Sequence, residues 1–503
     1  MRPPREVQLD CMEADGTCTG RDDTGHPWRV RGGVPGARVL AAGRPKSASV
    51  VRVLTPAPNQ VAPRCAQFGT CGGCLLQPLS LAHQQAAKLA ALQALLAPLG
   101  GRCTGILAAP GDGYAYRNKL ELSFGTTRYL SRDELARAGD DDIPDRRGRF
   151  VGMHGAGHFD RIVDTPRCEI ADEALNSVLQ LVRKDVLASP FPTWEPKPAT
   201  GFWRHLVLRR GGDGRVLLLV YTTPGGDAER DWLVTRAPQW GADAVCWYVT
   251  ERTGDAALGD LAEVLHGEPT LHVGLGNVQL DLAPTAFFQV NDAGAAVLLD
   301  VVAEFVGSGD TLLDLYCGVG ALGLALRERF TRVGGIELNA FAVLAARVNA
   351  RRLGVVSAYR SGAVEHELPA LLADFVLLRR LGSVAGSRGE PALESSIPAA
   401  GNPSAQPPAA VNTAGSAGNR RLVVLADPPR SGLHPKALAT VAALDAEVLV
   451  YVACKPASLA RDGAILLAAG WRCEQWTAVD MFPQTPHTEV VARFVREGTA
   501  TPG

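Results

Sequence analysis

The chain has 503 residues, of which 46% are hydrophobic and 20% charged, and a formal net charge of −1. Its length allows more than one domain, and its composition excludes collagen-like, wholly disordered and helix-spanning membrane classes. A near-neutral chain has no general nucleic-acid-binding charge, so any such contact must come from local patches such as Arg117-Asn118-Lys119 or Arg204–Arg210. On charge alone each patch reads as a solvated strand edge.

Residues 1–57 alternate apolar and polar positions between turn signals such as Gly32-Gly33-Val34-Pro35-Gly36, which predicts a small β-barrel. The N-terminus has no apolar secretory stretch, so a cytoplasmic protein without a membrane is expected, read here as a monomer. Residues 58–103 begin with Cys65-x5-Cys71-x2-Cys74, then a run rich in Ala, Leu and Gln that predicts a helix over 81–99. The 11 cysteines are an odd number, which argues against a disulfide framework. The tight trio instead signals a metal, with Cys168 the best fourth thiolate. Four thiolates suit either a 4Fe–4S cluster or Zn2+, and spacing leaves that choice open.

Residues 104–290 read as a mixed, mostly β domain, clearest at 120–124 and 216–221. From 291 to 503 strands and helices alternate. Strands are expected at 311–315, 333–337, 421–427, 447–453 and 490–495, with helices at 321–330, 340–352, 435–443 and 457–468. This is the pattern of a doubly wound, Rossmann-like α/β domain. The stretch 381–420 is rich in Gly, Ser, Pro and Ala without apolar period, and a disordered insertion is expected there.

The chemistry-bearing residues fall at expected strand ends. Asp314-Leu315-Tyr316-Cys317-Gly318-Val319-Gly320 runs from a strand into a Gly-x-Gly turn, where the backbone can approach a ligand closely. Glu337 ends the next strand, where a carboxylate can accept ribose hydroxyls. No full dinucleotide fingerprint and no Gly-Lys-Ser/Thr is present, so a nucleoside cofactor such as S-adenosylmethionine fits better than a dinucleotide or triphosphate. Asp427-Pro428-Pro429-Arg430 ends another strand, offering Asp427 to the cofactor and Arg430 to a substrate edge. Cys454 follows the strand over 447–453 and precedes a helix, a position for a nucleophilic thiolate aided by the helix N-terminus. Glu489 follows an apolar, Pro-constrained turn, where burial would raise its pKa and suit it to accept a proton.

Together these residues resemble the S-adenosylmethionine-dependent RNA uracil-C5 methyltransferases, in particular the iron–sulfur branch acting on 23S ribosomal RNA. The resemblance covers nearly the whole chain. It implies that the N-terminal barrel is a TRAM domain and that Cys65, Cys71, Cys74 and Cys168 hold a 4Fe–4S cluster in preference to zinc. Tyr116-Arg117-Asn118-Lys119 matches in the central domain, with Arg117 and Lys119 implied as RNA contacts. Phe287-Phe288-Gln289-Val290-Asn291 matches the family's Phe-Phe-Gln-x-Asn, implying a cofactor contact at Gln289. Tyr316 carries the aromatic cofactor contact, and Gly318, Glu337 and Asp427 the remaining cofactor positions. Cys454 matches the nucleophile and Glu489 the proton acceptor.

Two departures stand out. Ala453-Cys454-Lys455-Pro456 replaces the family's Ser-Cys-Asn-Pro, so Lys455 puts a cation where an amide is usual. Arg430-Ser431-Gly432 has Ser where Ala is more common. The expected function is methyl transfer to C5 of an RNA uridine, through a covalent bond from Cys454 to C6. A transfer-RNA substrate is the alternative. An impaired, RNA-binding iron–sulfur protein is a second alternative, raised by Lys455.

Overall fold

The computed structural model describes residues 3–131, 134, 146–155, 157–384 and 421–496. The disordered insertion expected over 381–420 lies outside these residues from 385 onward. Its first residues differ from expectation, because 381–384 close the helix Val364–Val384.

The N-terminal strands Arg5–Met12, Cys18–Asp22, Pro27–Arg31, Arg38–Arg44 and Ser47–Thr55 form the expected closed barrel. Alternation produces it: Val7, Leu9, Val30, Val39 and Ala41 point inward and are almost fully buried, while Gln8, Arg29, Arg31 and Leu40 beside them are more exposed. Leu76 and Leu79, beyond the cysteine trio, join the same core.

The central region is a seven-stranded sheet. Its strand order is Asp260–His266, Ala244–Val249, Val216–Thr222, Trp203–Arg210, Lys119–Thr127, Arg147–His154 and Ile162–Asp164. One face packs helices Glu173–Ala188 and Asp227–Arg236 over Leu120, Leu122, Leu206 and Leu218. The other face, with Val207, Leu217, Leu219 and Cys246, shares a continuous core with the hairpin Leu271–Leu275/Val278–Leu282 and the helix Asp292–Val306.

Arg204–Arg210, expected as a solvated edge, instead lies in the middle of this sheet with Arg204, His205 and Arg209 buried. Their charges are reconciled with burial by specific partners. Arg204 donates to the carbonyls of Arg252 (2.6 Å) and Gly254 (2.7 Å) and stacks on Trp194. Arg209 donates to the carbonyls of Pro284 and Ala286. Burying an unpaired guanidinium would be very costly; these bonds are what the position requires.

The C-terminal sheet has eight strands in the order Ser357–Ser361, Phe330–Glu337, Gly309–Leu315, Leu422–Ala426, Val448–Ala453, Glu489–Arg496, Trp471–Asp480 and Arg102–Ala108. The first five are mutually parallel. Strand Glu489–Arg496 runs antiparallel between its two neighbours. The order reverses between Gly309–Leu315 and Leu422–Ala426, a switch point where doubly wound sheets bind ligands beyond their carboxyl ends. Continuous apolar runs such as Val448–Ala453, buried at every position, are those of strands covered on both faces. Strand Arg102–Ala108 pairs parallel to Trp471–Asp480, so the chain before the central region completes the far edge. It runs across the 103/104 junction placed from sequence. Helix Leu81–Leu96, with the short turn Ala97–Leu99, matches the expected span and packs its Leu92 and Leu96 under this sheet.

Candidate active site at the carboxyl edge of the sheet

Strand Gly309–Leu315 delivers the first loop. Asp314 is buried and accepts a hydrogen bond from the Gly323 N–H (3.0 Å), tying the strand to the start of the next helix. Burial, then Asp427 and Glu337, push its carboxyl up to about 7. Tyr316 has a positive φ of 63°, unusual for a residue with a side chain, and its N–H bonds the Ile336 carbonyl (2.8 Å). Gly318 follows at φ 53°, and a Cβ there would meet no atom within 4 Å. The loop therefore faces open space with its backbone bare, which is the shape needed for a ligand to lie against it.

Glu337 closes the same loop from the next strand. Its carboxylate accepts from the N–H of Gly318 (3.2 Å) and from that of Asn339 (2.8 Å). Asp427 sits on the far side, its N–H bonded to the Leu315 carbonyl, and burial pushes its carboxyl up to about 7. Gly318, Glu337 and Asp427 thus gather around the switch point. These residues fit a nucleoside cofactor: an open Gly loop, a partly exposed carboxylate, and a second acid nearby.

Gln289 approaches from the segment before helix Asp292–Val306. That segment is pinned by Asn118, which the sequence reading passed over in favour of its neighbours. The Asn118 side chain donates to the Gln289 carbonyl (3.1 Å) and to Asp292 (2.6 Å), and its N–H donates to the Val290 carbonyl (2.9 Å). Asn291 caps the helix by accepting from Gly294 and donates to the Met481 carbonyl.

Cys454 and Glu489 come from neighbouring antiparallel strands. Ala453 pairs with Val490, so the two residues stand at adjoining strand ends. Cys454 is partly exposed and Glu489 is buried. Burial pushes the Glu489 carboxyl up to about 8, Asp427 adds to this, and Arg430 opposes it. Its Oε2 has no hydrogen-bond partner. The raised pKa expected from the turn is thus present, and its main cause is desolvation.

The thiol departs from expectation. Burial pushes Cys454 up to about 11, with Glu489 and Asp427 reinforcing and Arg430 opposing. The following helix, Pro456–Ala468, begins with Pro at its first position, and the burial of Cys454 outweighs what lowers its pKa. Lys455 is exposed at the N-cap of that helix. Arg430 is the cation that faces both Cys454 and Glu489, and it is exposed towards solvent.

Arg117, on the central-region side, acts electrostatically on His487, as Arg430 does. Arg117 donates to the Lys119 carbonyl (2.7 Å), and Lys119 pairs with Glu121 (3.3 Å). Arg117 acts electrostatically on Cys71 and Cys168. Cys65, Cys71, Cys74 and Cys168 line one small cavity, together with Phe68, Met153 and Ile170. Burial pushes the thiols of Cys71, Cys74 and Cys168 up. Four free thiols around one cavity match a four-thiolate donor set. As placed, no three His, Cys, Asp or Glu side chains among the described residues are gathered closely enough to hold an ion.

The sequence profile of the tRNA (uracil-5-)-methyltransferases matches residues 267–366 and 420–496. Those segments contain Gln289, Tyr316, Gly318, Glu337, Asp427, Arg430, Cys454 and Glu489; the four cysteines, Arg117 and Lys119 lie outside them. An uncharacterized RNA methyltransferase of Chlorobaculum tepidum is 32% identical, over 95% of this chain and 93% of its own length. One of Caldanaerobacter subterraneus subsp. tengcongensis is 30% identical, over 96% and 97%. The tRNA (uracil(54)-C(5))-methyltransferase of Pyrococcus abyssi is 27% identical over 91% of this chain and 92% of that one. A crystal structure of the Pyrococcus abyssi tRNA (uracil-54, C5)-methyltransferase in complex with S-adenosyl-L-homocysteine shares the fold, with a TM-score of 0.68 and 22% identity, covering 97% of this chain and 100% of that one. Sheet order and site define a class I methyltransferase. The chain belongs to the RNA uracil-C5 methyltransferase family.

Proposed function

We propose that this protein methylates C5 of a uridine in 23S ribosomal RNA, with Cys454 as nucleophile and Glu489 as base. One observation carries the chemistry: a thiol and a buried carboxyl whose Oε2 has no hydrogen-bond partner stand at adjoining strand ends. Uracil C5 is too weakly nucleophilic to take a methyl group unaided. The Cys454 thiolate adds to C6, which places electron density on C5 and O4. S-adenosylmethionine, which Gln289, Tyr316, Gly318, Glu337 and Asp427 would hold, would supply a sulfonium methyl that passes to C5 as its S–CH3 bond breaks, leaving S-adenosylhomocysteine. Glu489 then accepts the C5 proton, the C6–S bond breaks, and Cys454 leaves as thiolate. Arg430, facing both groups, stabilises the thiolate and orients the base.

The uridine must leave its stack to meet a thiol at the bottom of this edge. Phe287, 76% exposed beside Gln289, offers a ring on which an unstacked base can rest. The barrel is proposed as an RNA-binding TRAM module; its groove is lined by Arg21, His26, Trp28, Arg29, Arg44 and Lys46. The four cysteines are proposed to hold a 4Fe–4S cluster that orders the RNA-facing surface and takes no part in the methyl transfer. The enzyme is read as a cytoplasmic monomer. No helix among the described residues is long and apolar enough to cross a membrane.

A transfer-RNA substrate is the second reading, favoured by the Pyrococcus abyssi relative. The deciding experiment supplies S-adenosylmethionine with ribosomal and transfer RNA from cells lacking the protein, and reads nucleosides by mass spectrometry. New 5-methyluridine in one fraction assigns the substrate. RNA containing 5-fluorouridine tests the chemistry, because fluorine cannot leave as a proton and the adduct persists. No adduct with the wild-type protein would favour the impaired RNA-binding reading.

A further inference from the structure

The segment Met481–Thr488, between strand Trp471–Asp480 and Glu489, is held from three sides. Asn291 donates to the Met481 carbonyl (2.9 Å), and the Tyr116 hydroxyl to the Pro483 carbonyl (3.1 Å). From the segment just after Cys74, the N–H groups of Leu75 and Leu76 donate to the Gln484 carbonyl (3.0 and 2.9 Å). Gln84 completes a two-way exchange, donating to the Gln484 side chain (2.8 Å) and accepting from its N–H (2.9 Å). Gln484 is held at φ 70°, a conformation that a residue with a side chain keeps only when its surroundings impose it.

The centre of this arrangement is Lys88, on the buried face of helix Leu81–Leu96. Its ammonium donates to Asp480 (2.6 Å), the Phe482 carbonyl (3.2 Å) and the His487 carbonyl (3.2 Å). Lys88 and Asp480 are both essentially sealed from solvent. An ammonium has three protons, and all three are taken by the two flanks of one loop. Stability alone does not call for such a pair, since a buried ion pair often does no better than apolar residues of the same volume. Here even the pairing is incomplete, because the second oxygen of Asp480 has no partner. What the cation does, and an apolar side chain would not, is hold the start and the end of the loop at one point.

We propose that Lys88 is a positioning residue: by clamping both flanks of Met481–Thr488 it fixes where the Glu489 carboxylate stands against Cys454. The proposal rests on Glu489 being the base. The N-terminal cysteine segment and the sheet edge then meet at this loop, through Leu75, Leu76 and Gln84 on one side and Glu489 on the other. Lys88 touches none of the groups assigned to cofactor or nucleophile, so its loss should act on proton removal and leave the earlier addition intact.

The test compares Lys88→Met, the double variant Lys88→Met/Asp480→Leu, and Glu489→Gln, each as the full chain. Three quantities are read: the rate of adduct formation with 5-fluorouridine RNA, the amount of methylated covalent adduct on ordinary uridine RNA, and Tm. Adduct formation needs Cys454 and methyl transfer but no removal of the C5 proton. Lys88→Met is expected to form the fluorouridine adduct within about threefold of the wild-type rate. Its turnover on ordinary RNA should fall by about tenfold or more, with methylated adduct accumulating. The double variant removes the unpaired buried Asp480, so its Tm should recover while the accumulation of adduct remains. Recovery of turnover together with Tm in the double variant would make Lys88 a structural residue and overturn the proposal. A parallel fall of adduct formation and turnover in both variants would overturn it as well. If Glu489→Gln accumulates no adduct, the assignment of the base itself fails, and that result is read without the Lys88 variants.

Discussion

At the scale of single residues, the site is dominated by desolvated acids. Glu489, Asp314 and Asp427 all keep their protons to unusually high pH because burial disfavours the charged form. For Glu489 the sign is clear. Between its ordinary value of 4.5 and about 8, the native protein holds a proton that the unfolded chain has released, so stability falls as pH rises through that window. Glu489→Gln should therefore raise Tm at pH 8, by roughly 2 °C or more, and do much less at pH 5, measured by calorimetry. With Glu489 as the proposed base, the same ionisation acts on proton removal after methyl transfer: kcat should climb as pH rises through about 8, and the methylated adduct should build up below it. A kcat that is flat from pH 6 to pH 9, with no adduct building up at pH 6, would remove Glu489 from that step. Cys454 at about 11 leaves roughly one thiol in ten thousand ionised at pH 7, so Arg430 matters as the nearby cation. Arg430→Ala should slow adduct formation by about tenfold, read on 5-fluorouridine RNA.

At the scale of elements, the two loops at the switch point divide the work. The Gly318 loop is bare backbone turned to open space, and Gly318→Ala should weaken S-adenosylmethionine binding by about tenfold in calorimetric titration. The backbone cost of the same change, at φ 53°, is about 1 kcal/mol. Asn118 holds the Gln289 carbonyl and Arg209 holds those of Pro284 and Ala286, so the chain is pinned on both sides of the exposed Phe287. Phe287→Ala should weaken RNA binding by about tenfold while leaving cofactor affinity unchanged, since stacking one base on a ring is worth about 1–3 kcal/mol.

Five of the eight strands of the C-terminal sheet were legible in the sequence as short apolar runs, whereas Ser357–Ser361, Trp471–Asp480 and Arg102–Ala108 were not expected. Leu312-Leu313-Asp314-Leu315 and Val448–Ala453 carry that signal plainly. Strand Trp203–Arg210 did not, because its buried arginines are satisfied by carbonyls roughly fifty and seventy-five positions away, and local pattern holds no trace of such partners. Lys88 was invisible for the same reason: a lysine in an Ala- and Leu-rich helix reads as solvated, and only the fold brings Asp480 to it. Asn118 sat inside a matched motif, but its neighbouring charges drew the reading to Arg117 and Lys119. Tyr316 and Gly318 were found through chain order and resemblance; the positive φ at Tyr316 was not readable from residue type.

At the scale of the whole molecule, one hydrophobic core runs from the central sheet through the hairpin Leu271–Leu282 into the helix Asp292–Val306 and the C-terminal sheet. These parts should melt as one unit, whereas the barrel has a separate core. The contacts that close last join residues far apart along the chain. Lys88 and Asp480 are 392 positions apart, and strand Arg102–Ala108 waits for Trp471–Asp480 to give it an edge. A polypeptide emerging from the ribosome has all its barrel strands long before the strands that carry Cys454 and Glu489. Until those arrive, the nascent protein would have surfaces proposed to grip RNA but would lack both the proposed nucleophile and the proposed base with which to alter it.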